Sequence, residues 1–226
     1  MRGSDKVLVV VAHPDDEVLG CGGTIIKYIK QGKKVFLLTM TDGVSSRDKS
    51  NSHKSRERKE ACKKASKIMG ISKIFFNNLN DNELDLISNL KLTKIIENVI
   101  KKVKPRTILT HFNFDLNLDH RKVSNAVITA CRPRLNNEVS KILFFEVLSS
   151  TEWNINSKKK NIFLPNWYED ISTTFNKKMK ALECYNKELR KFPHSRSKKG
   201  VKLLSEFRGM ASGCKNAEAF ILGRKI

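Results

Sequence analysis

Two short polar segments of the 226-residue sequence contain residue types that bind and use divalent metal ions. Residues 12–17 read Ala-His-Pro-Asp-Asp-Glu, and residues 115–120 read Asp-Leu-Asn-Leu-Asp-His. Neutral imidazole and carboxylate groups are good zinc ligands, and a catalytic zinc site uses three of them and leaves one position for water. His13, Asp16 and His120 form such a set if the fold brings the two segments together.

Asp15 stands beside one of these ligands and would project differently from Asp16 in a tight turn. Zinc lowers the pKa of water toward neutrality, and Asp15 could then accept the proton as a general base. A second interpretation needs no metal, because carboxylates at the start of a helix stabilise it through the helix dipole. Spacing alone leaves both interpretations open. We interpret Glu17 as a residue that braces the segment or caps the following helix.

Both segments follow apolar runs that alternate with amphipathic stretches, a pattern that predicts a parallel sheet covered by helices. We predict strands at residues 6–12, 34–41, 73–77, 106–110 and 141–148. We predict helices at residues 20–30, 56–69, 87–103, 119–131 and 171–191, followed by a helical turn and a strand near 206–222. The expected fold class is α/β, with a Rossmann-like, mostly parallel sheet flanked by helices. Ligands of such sheets bind beyond the carboxyl ends of the strands, where we expect the metal site.

The length of 226 residues predicts a single domain spanning residues 1–226. Lys and Arg number 44 against 23 Asp and Glu, a formal net charge of +21. The basic residues are spread along the chain without an aromatic-interleaved stripe, so we expect no specific nucleic acid. This charge fits either a solvated surface or a partner that carries phosphates, such as a nucleotide sugar or a lipid-linked glycan.

The sequence contains no run of eighteen apolar residues, so we expect no membrane span, although the charge permits peripheral contact with a membrane. Its five cysteines are scattered and include no Cys-x-x-Cys pair. This pattern argues against a disulfide framework and against a cysteine zinc site. A reducing cytoplasm is therefore the expected location.

The first segment lies in the run VVVAHPDDEVLGCGGTI, which resembles the signature of the PIG-L/LmbE-like family of zinc-dependent de-N-acetylases. The second segment, with the Arg121 that follows it, is similar to a later motif of that family. Further similarity lies toward the C-terminus in PNWYEDIS and RGMASGCKNAEAF. The resemblance covers nearly the whole chain, and the first of these motifs is the most specific.

The resemblance implies that His13, Asp16 and His120 are the zinc ligands and that Asp15 is the general base. Members of the family use zinc-activated water to attack an acetamide, and they release acetate and a free amine. Iron or cobalt could replace zinc, because ligand type alone does not decide among these metals. Relatives often assemble into oligomers, so the resemblance also implies a possible homo-oligomer.

One position departs from the family pattern. Members commonly place a histidine three residues before the last zinc ligand, where it stabilises the oxyanion or protonates the leaving amine, and this chain has Asn117 there. An amide can donate a hydrogen bond to an oxyanion but cannot act as a general acid at neutral pH. Three residues could supply the proton instead: Asp115 with a raised pKa, His194 from the C-terminal part, or Asp15 as a shuttle.

The resemblance also implies a substrate contact for Arg58 and an acidic contact to the sugar for Asp81, and Asp115 is a third candidate for substrate binding. His111 follows a predicted strand and could line the site. The sequence thus predicts a hydrolase that removes an N-acetyl group from an amino sugar, with an anionic nucleotide-linked or lipid-linked glycan intermediate as substrate. Two alternatives are an amidase of the same fold acting on another N-acyl group or a thiol-sugar amide, and a basic nucleic-acid-binding protein.

Overall fold

The computed structural model describes residues 5–44, 52–133, 138–155 and 161–226. Within these ranges the strands are β1 (Lys6–Val11), β2 (Lys34–Thr41), β3 (Lys73–Leu79), β4 (Thr107–His111), β5 (Lys141–Phe145), β6 (Trp167–Asp170) and β7 (Ala217–Lys225). They form one sheet in the order β3-β2-β1-β4-β5-β7-β6. The pairs among β1 to β5 are parallel, whereas β7 is antiparallel to both of its neighbours. The predicted α/β class with a mostly parallel sheet is confirmed.

Helices cover both faces of this sheet. They are α1 (Asp16–Lys30), α2 (Ser52–Met69), α3 (Asn89–Val103), α4 (Leu118–Ala130), α5 (Phe175–Leu182) and α6 (Lys198–Met210). Alternate residues of β1 point to opposite faces: Val7 and Val9 pack in the cluster of α1, α2 and α5, and Leu8 and Val10 pack in the cluster of α3 and α4. Burial on both faces explains why β1 is apolar throughout.

The strand order reverses at β1, which has β2 on one side and β4 on the other. In open α/β sheets this reversal leaves a crevice at the carboxyl ends of the two central strands, because the following helices pass to opposite faces. The segment after β1 and the segment after β4 both lead into this crevice. The fold therefore brings together residues that are about a hundred positions apart in the sequence.

The first helix begins at Asp16, whereas the sequence predicts a start at Gly20. Asp15 adopts left-handed backbone angles, with φ 116° and ψ −27°, and this turn lets the helix begin within the acidic segment. The glycines lie inside the helix, where they permit close packing. A Cβ on Gly20 would lie 2.3 Å from the Phe145 ring, and one on Gly23 would lie 2.8 Å from Ile171.

The C-terminal part differs more from the prediction. The predicted helix at 171–191 is wrong at both ends, because α5 spans only Phe175–Leu182 and a short 3-10 turn follows at Glu183–Tyr185. A full helix, α6, replaces the predicted helical turn. The edge strand β6 was not predicted, since its four residues carry no long periodic pattern and its pairing partner, β7, is distant in sequence.

All five cysteines lie in the described ranges, and each has a free thiol there. None of the helices in the described part of the chain is both long and apolar enough to cross a membrane.

Candidate active site

Two loops meet in the crevice between β1 and β4. The first runs from the end of β1 into α1, and the second runs from β4 into α4. The backbone N–H of Ala12 donates a hydrogen bond of 2.8 Å to Nε2 of His111, the last residue of β4. This bond joins the two strands at the edge where the polar segments begin.

Three buried side chains converge on one point of this crevice. Asp16 Oδ2 lies 3.1 Å from His13 Nδ1 and 3.3 Å from His120 Nε2, and the two histidine nitrogens are 3.3 Å apart. Ligand atoms of a tetrahedral zinc ion with bonds of about 2.0–2.1 Å are separated by about 3.3 Å. His13, Asp16 and His120 therefore fit a zinc ion both in donor type and in spacing.

The electrostatics of this cluster favour positive charge. Burial opposes the charged form of His120, but the carboxylates of Asp16 and Asp115 raise its pKa to about 9. Burial likewise opposes ionisation of Asp16, yet the two histidines hold the pKa of this carboxyl well below its usual range. A divalent cation would supply the positive charge that these carboxylates stabilise.

His13 is oriented from its other side by two carboxylates. Its Nε2 lies 2.9 Å from Asp81 Oδ1 and 3.2 Å from Asp119 Oδ2. Asp119 is itself fixed, because its two oxygens accept hydrogen bonds from the backbone N–H groups of Asn82 and Leu84. His13, Asp81 and Asp119 could also hold a cation. We prefer an orienting role for the two carboxylates, since a carboxylate behind a ligating histidine fixes its ring and tautomer.

Asp115 lies behind His120, with Oδ1 3.2 Å from His120 Nδ1. The hydroxyl groups of Ser150 and Thr151 donate hydrogen bonds to its two oxygens. Although burial opposes it, His120 and these hydroxyl groups hold the pKa of Asp115 at about 2. This environment fits an orienting carboxylate. It does not fit the raised pKa that a proton donor at this position requires.

His111 packs under the same ring, with its centroid 3.9 Å from that of His120 in a stacked arrangement. Its Nε2 already accepts a hydrogen bond from the backbone of Ala12. Burial and the neighbouring His120 hold the pKa of His111 well below its usual range, so the ring is neutral. His111 therefore acts as a neutral packing partner of the His120 ring.

Asp15 is held beside the cluster by two arginines. Its Oδ2 lies 3.0 Å from Arg58 Nη2 and 3.3 Å from Arg196 Nη1. Its backbone N–H donates to Glu17 Oε2, and Glu17 in turn accepts a hydrogen bond from the hydroxyl group of Tyr185. Glu17 thus braces the turn, as the sequence predicts. The other oxygen, Asp15 Oδ1, is buried and has no hydrogen-bond partner among the described residues, so it can accept a proton or a hydrogen bond.

A cavity of about 110 Å³ opens between these groups. Its lining consists of His13, Asp15, Gly43, Arg58, Asp81, Asn82, Asn117 and Arg196. A larger cavity of about 560 Å³ lies between α2 and the 3-10 turn at Glu183–Tyr185, and it shares only Arg58 with the small one. The small cavity is the one beside the metal-ligand cluster, because His13 lines it.

The structure thus brings most of the predicted site residues together. Asn117 caps α4, because its Oδ1 accepts hydrogen bonds from the backbone N–H groups of Asp119 and His120. His194 does not line the small cavity. Its ring packs edge-on against Trp153, and its Nδ1 accepts a hydrogen bond from the backbone N–H of Arg196.

Two residues of the site were not singled out from the sequence. Asp119 directly precedes His120 in the second polar segment. This position next to a proposed ligand is the sequence feature that could have identified it. Arg196 lies in a loop without a periodic pattern. Only the fold shows that it reaches Asp15, which is distant in the sequence.

Known proteins are similar to this chain over most of its length. The chain is 28% identical over 194 residues to the diacetylchitobiose deacetylase of Thermococcus kodakarensis. The aligned region covers 81% of this chain and 70% of the relative. It is 23% identical over 192 residues to a probable N-acetyl-alpha-D-glucosaminyl L-malate deacetylase 2 of Bacillus anthracis. This aligned region covers 82% of each chain.

Among solved structures, the N,N'-diacetylchitobiose deacetylase of Pyrococcus horikoshii, complexed with its inhibitor MPG, superposes with a TM-score of 0.80. The match covers 99% of this chain and 85% of the other, at 22% sequence identity, and it shows a common fold. The family model for PIG-L, described as GlcNAc-PI de-N-acetylase, matches residues 8–131, which is more than half of the chain. The resemblance seen in the sequence is confirmed, and the chain belongs to the PIG-L family.

Proposed function

We propose that this protein is a metal-dependent hydrolase that removes the N-acetyl group of an amino sugar, with one zinc ion held by His13, Asp16 and His120. The observation that carries the proposal is the triangle of ligand atoms, 3.1 to 3.3 Å apart, beside a carboxylate oxygen that has no hydrogen-bond partner in the described part of the chain. The relatives support the same reaction, because both are named as deacetylases of N-acetylated amino sugars.

When bound, zinc supplies Lewis-acid polarisation of the amide carbonyl and lowers the pKa of water. Asp15 Oδ1 accepts a proton from the attacking water, while Arg58 and Arg196 hold the carboxylate in place through Oδ2. Asn117 uses its amide oxygen to cap α4, which leaves the amide N–H₂ as a donor to the carbonyl oxygen of the substrate. A new C–O bond forms at the carbonyl carbon.

The C–N bond then breaks, and the leaving nitrogen needs a proton. Of the three sources considered from the sequence, Asp115 is ionised and lies behind His120, and His194 does not line the cavity. We therefore assign this proton to Asp15, which returns to the amine the proton that it took from water. The adduct collapses to acetic acid and a free amine, and the acid then loses its remaining proton to the amine at neutral pH. Acetate and an ammonium group are the final products, so atoms and charges balance.

We further propose that the amino sugar carries an anionic group, as in a nucleotide-linked or lipid-linked intermediate. The small cavity, about 110 Å³, is smaller than the roughly 300–1,000 Å³ pockets that enclose whole small-molecule ligands, so most of the substrate extends past its rim. Arg196 lies on this rim, partly exposed, and the chain has a net charge of +21. The malate named in the substrate of the Bacillus anthracis relative is also anionic.

Acetate release from a panel of N-acetyl sugars, free, nucleotide-linked and lipid-linked, tests the proposal. Protein stripped of metal is assayed alone and after addition of zinc, iron or cobalt. We expect release that requires metal and that collapses in Asp15→Asn. Asp85→Asn, at an exposed aspartate outside the site, should behave like the wild type. Failure of every sugar to react, with metal tightly bound, would overturn the assignment and favour another amide as substrate.

A further inference from the structure

Helix α1, which begins with the proposed ligand Asp16, is broken just beyond its first turn. Cys21 has φ −149° and ψ 21°, outside the helical range, and helix continues on both sides of it. In an unbroken α-helix the N–H of Gly23 would donate to the carbonyl of Leu19. A break of this kind leaves backbone groups that need other partners, because unpaired polar groups are costly in a protein interior.

A buried ion pair from the C-terminal part supplies these partners. Glu218 Oε1 accepts from the Gly23 N–H at 2.8 Å and from Lys178 Nζ at 2.7 Å. Lys178 Nζ also donates to the Leu19 carbonyl at 3.0 Å, and Glu218 Oε2 accepts from the Thr24 N–H at 2.7 Å. The two side chains are thus inserted between the two ends of the missing helical hydrogen bond.

Both charges are removed from solvent, with Lys178 3% and Glu218 5% exposed. Burying an ion pair seldom adds net stability, and apolar residues of similar volume often replace such pairs without loss. A straight helix would need neither charge. Stability therefore does not explain why the pair is present. Its contacts with Leu19 and Gly23, in the turns just after Asp16, suit a role in positioning Asp16.

We propose that Lys178 and Glu218 are positioning residues that hold α1 open at Cys21 and thereby aim the Asp16 carboxylate at the metal. This inference rests on the proposed metal role of Asp16. Gly20 packs closely against the Phe145 ring of strand β5, so the first turn is held both by the ion pair and by this strand. Without the pair, the Gly23 N–H can bond to the Leu19 carbonyl, α1 straightens, and Asp16 moves away from His13 and His120.

The decisive variant is the double substitution Lys178→Met with Glu218→Leu, because it leaves no unpaired buried charge and is expected to fold. Zinc affinity is measured by competition with a chelator, at a temperature where circular dichroism shows every variant to be folded. We expect the double variant to bind zinc at least about tenfold more weakly than the wild type, the loss typical of a residue that orients a metal ligand. Glu218→Gln, which keeps the shape of the side chain, should show a smaller loss in the same direction.

The control is Lys27→Met. Lys27 lies on α1 beyond the break, and its Nζ forms an ion pair with Glu169 Oε2 at 2.6 Å, which this variant removes. It should keep wild-type zinc affinity. Unchanged affinity in both folded test variants would overturn the positioning role and leave the pair a purely structural one. Failure of the wild type to bind zinc would instead overturn the proposed function, so the two failures are distinguishable. If the double variant does not fold, Glu218→Gln decides the question alone.

Discussion

The N-terminal and C-terminal parts of the chain contribute to the active site in different ways. Residues 8–131, which match the family model, supply all three proposed metal ligands and the proposed base. The residues after β5 supply side chains that hold these groups in place, among them Arg196 on Asp15 and Tyr185 on Glu17. The reactive groups thus all lie in the first part, whereas the groups that position them come from both parts. We therefore expect the largest losses from substitutions of the ligands or the base, all in the first part, and smaller losses from substitutions of positioning residues in either part.

The largest effect is expected from Asp16→Ala. Loss of one of three ligands should leave the dialysed protein without zinc and reduce acetate release to background. Metal content by mass spectrometry and acetate release measure this, with Asp170→Ala on the exposed edge strand as the control. Full zinc occupancy in Asp16→Ala would show that the first loop does not hold the metal.

Asp15→Asn should act on the chemical step. A general base typically contributes about 10²–10⁴-fold, so we expect kcat to fall within that range. Zinc content should stay at the wild-type level, because Asp15 is bound to Arg58 and Arg196 and is not part of the ligand triangle. A variant that lost its zinc together with its activity would place Asp15 among the ligands and contradict this division of roles.

Asp119→Asn tests the orienting carboxylates behind the histidines. The variant keeps its shape but weakens the contact with His13 Nε2, and we expect zinc affinity to fall by about 10–100-fold. Competition with a chelator measures the change, and Glu97→Gln on α3 is a suitable control. Wild-type affinity in Asp119→Asn would show that the ring of His13 needs no such support.

The smallest effect is expected in the C-terminal part, from Arg196→Gln. Partly exposed ion pairs contribute up to about 1 kcal/mol, which corresponds to about a fivefold change. We therefore expect KM to rise about fivefold for an anionic amino-sugar substrate and to stay constant for a neutral one, in parallel steady-state assays. An equal rise for both substrates would remove Arg196 from anion recognition and leave it only its contact with Asp15.

The same division explains what could be predicted from the sequence. His13, Asp15, Asp16 and His120 could be predicted because metal chemistry restricts residue types within short segments. The parallel strands could be predicted because burial on both faces makes them continuously apolar, as in β1. Arg196 and Lys178 could not, since their neighbours in sequence carry no motif and they contact Asp15 and Leu19, which are more than a hundred positions away. Glu218 lies in the run RGMASGCKNAEAF, but nothing in that run indicates its contact with the distant Gly23. The short edge strand β6 was missed for a similar reason.

Anomalous diffraction at the zinc edge, from crystals of the protein grown with zinc, tests the central claim most directly. His13 is shared between two groups of side chains that could hold a cation, one with Asp16 and His120 and one with Asp81 and Asp119. We predict a single strong peak about 2.0–2.2 Å from His13 Nδ1, an Asp16 oxygen and His120 Nε2. A peak on the side of His13 Nε2, between Asp81 and Asp119, would contradict the proposed metal site and the mechanism built on it.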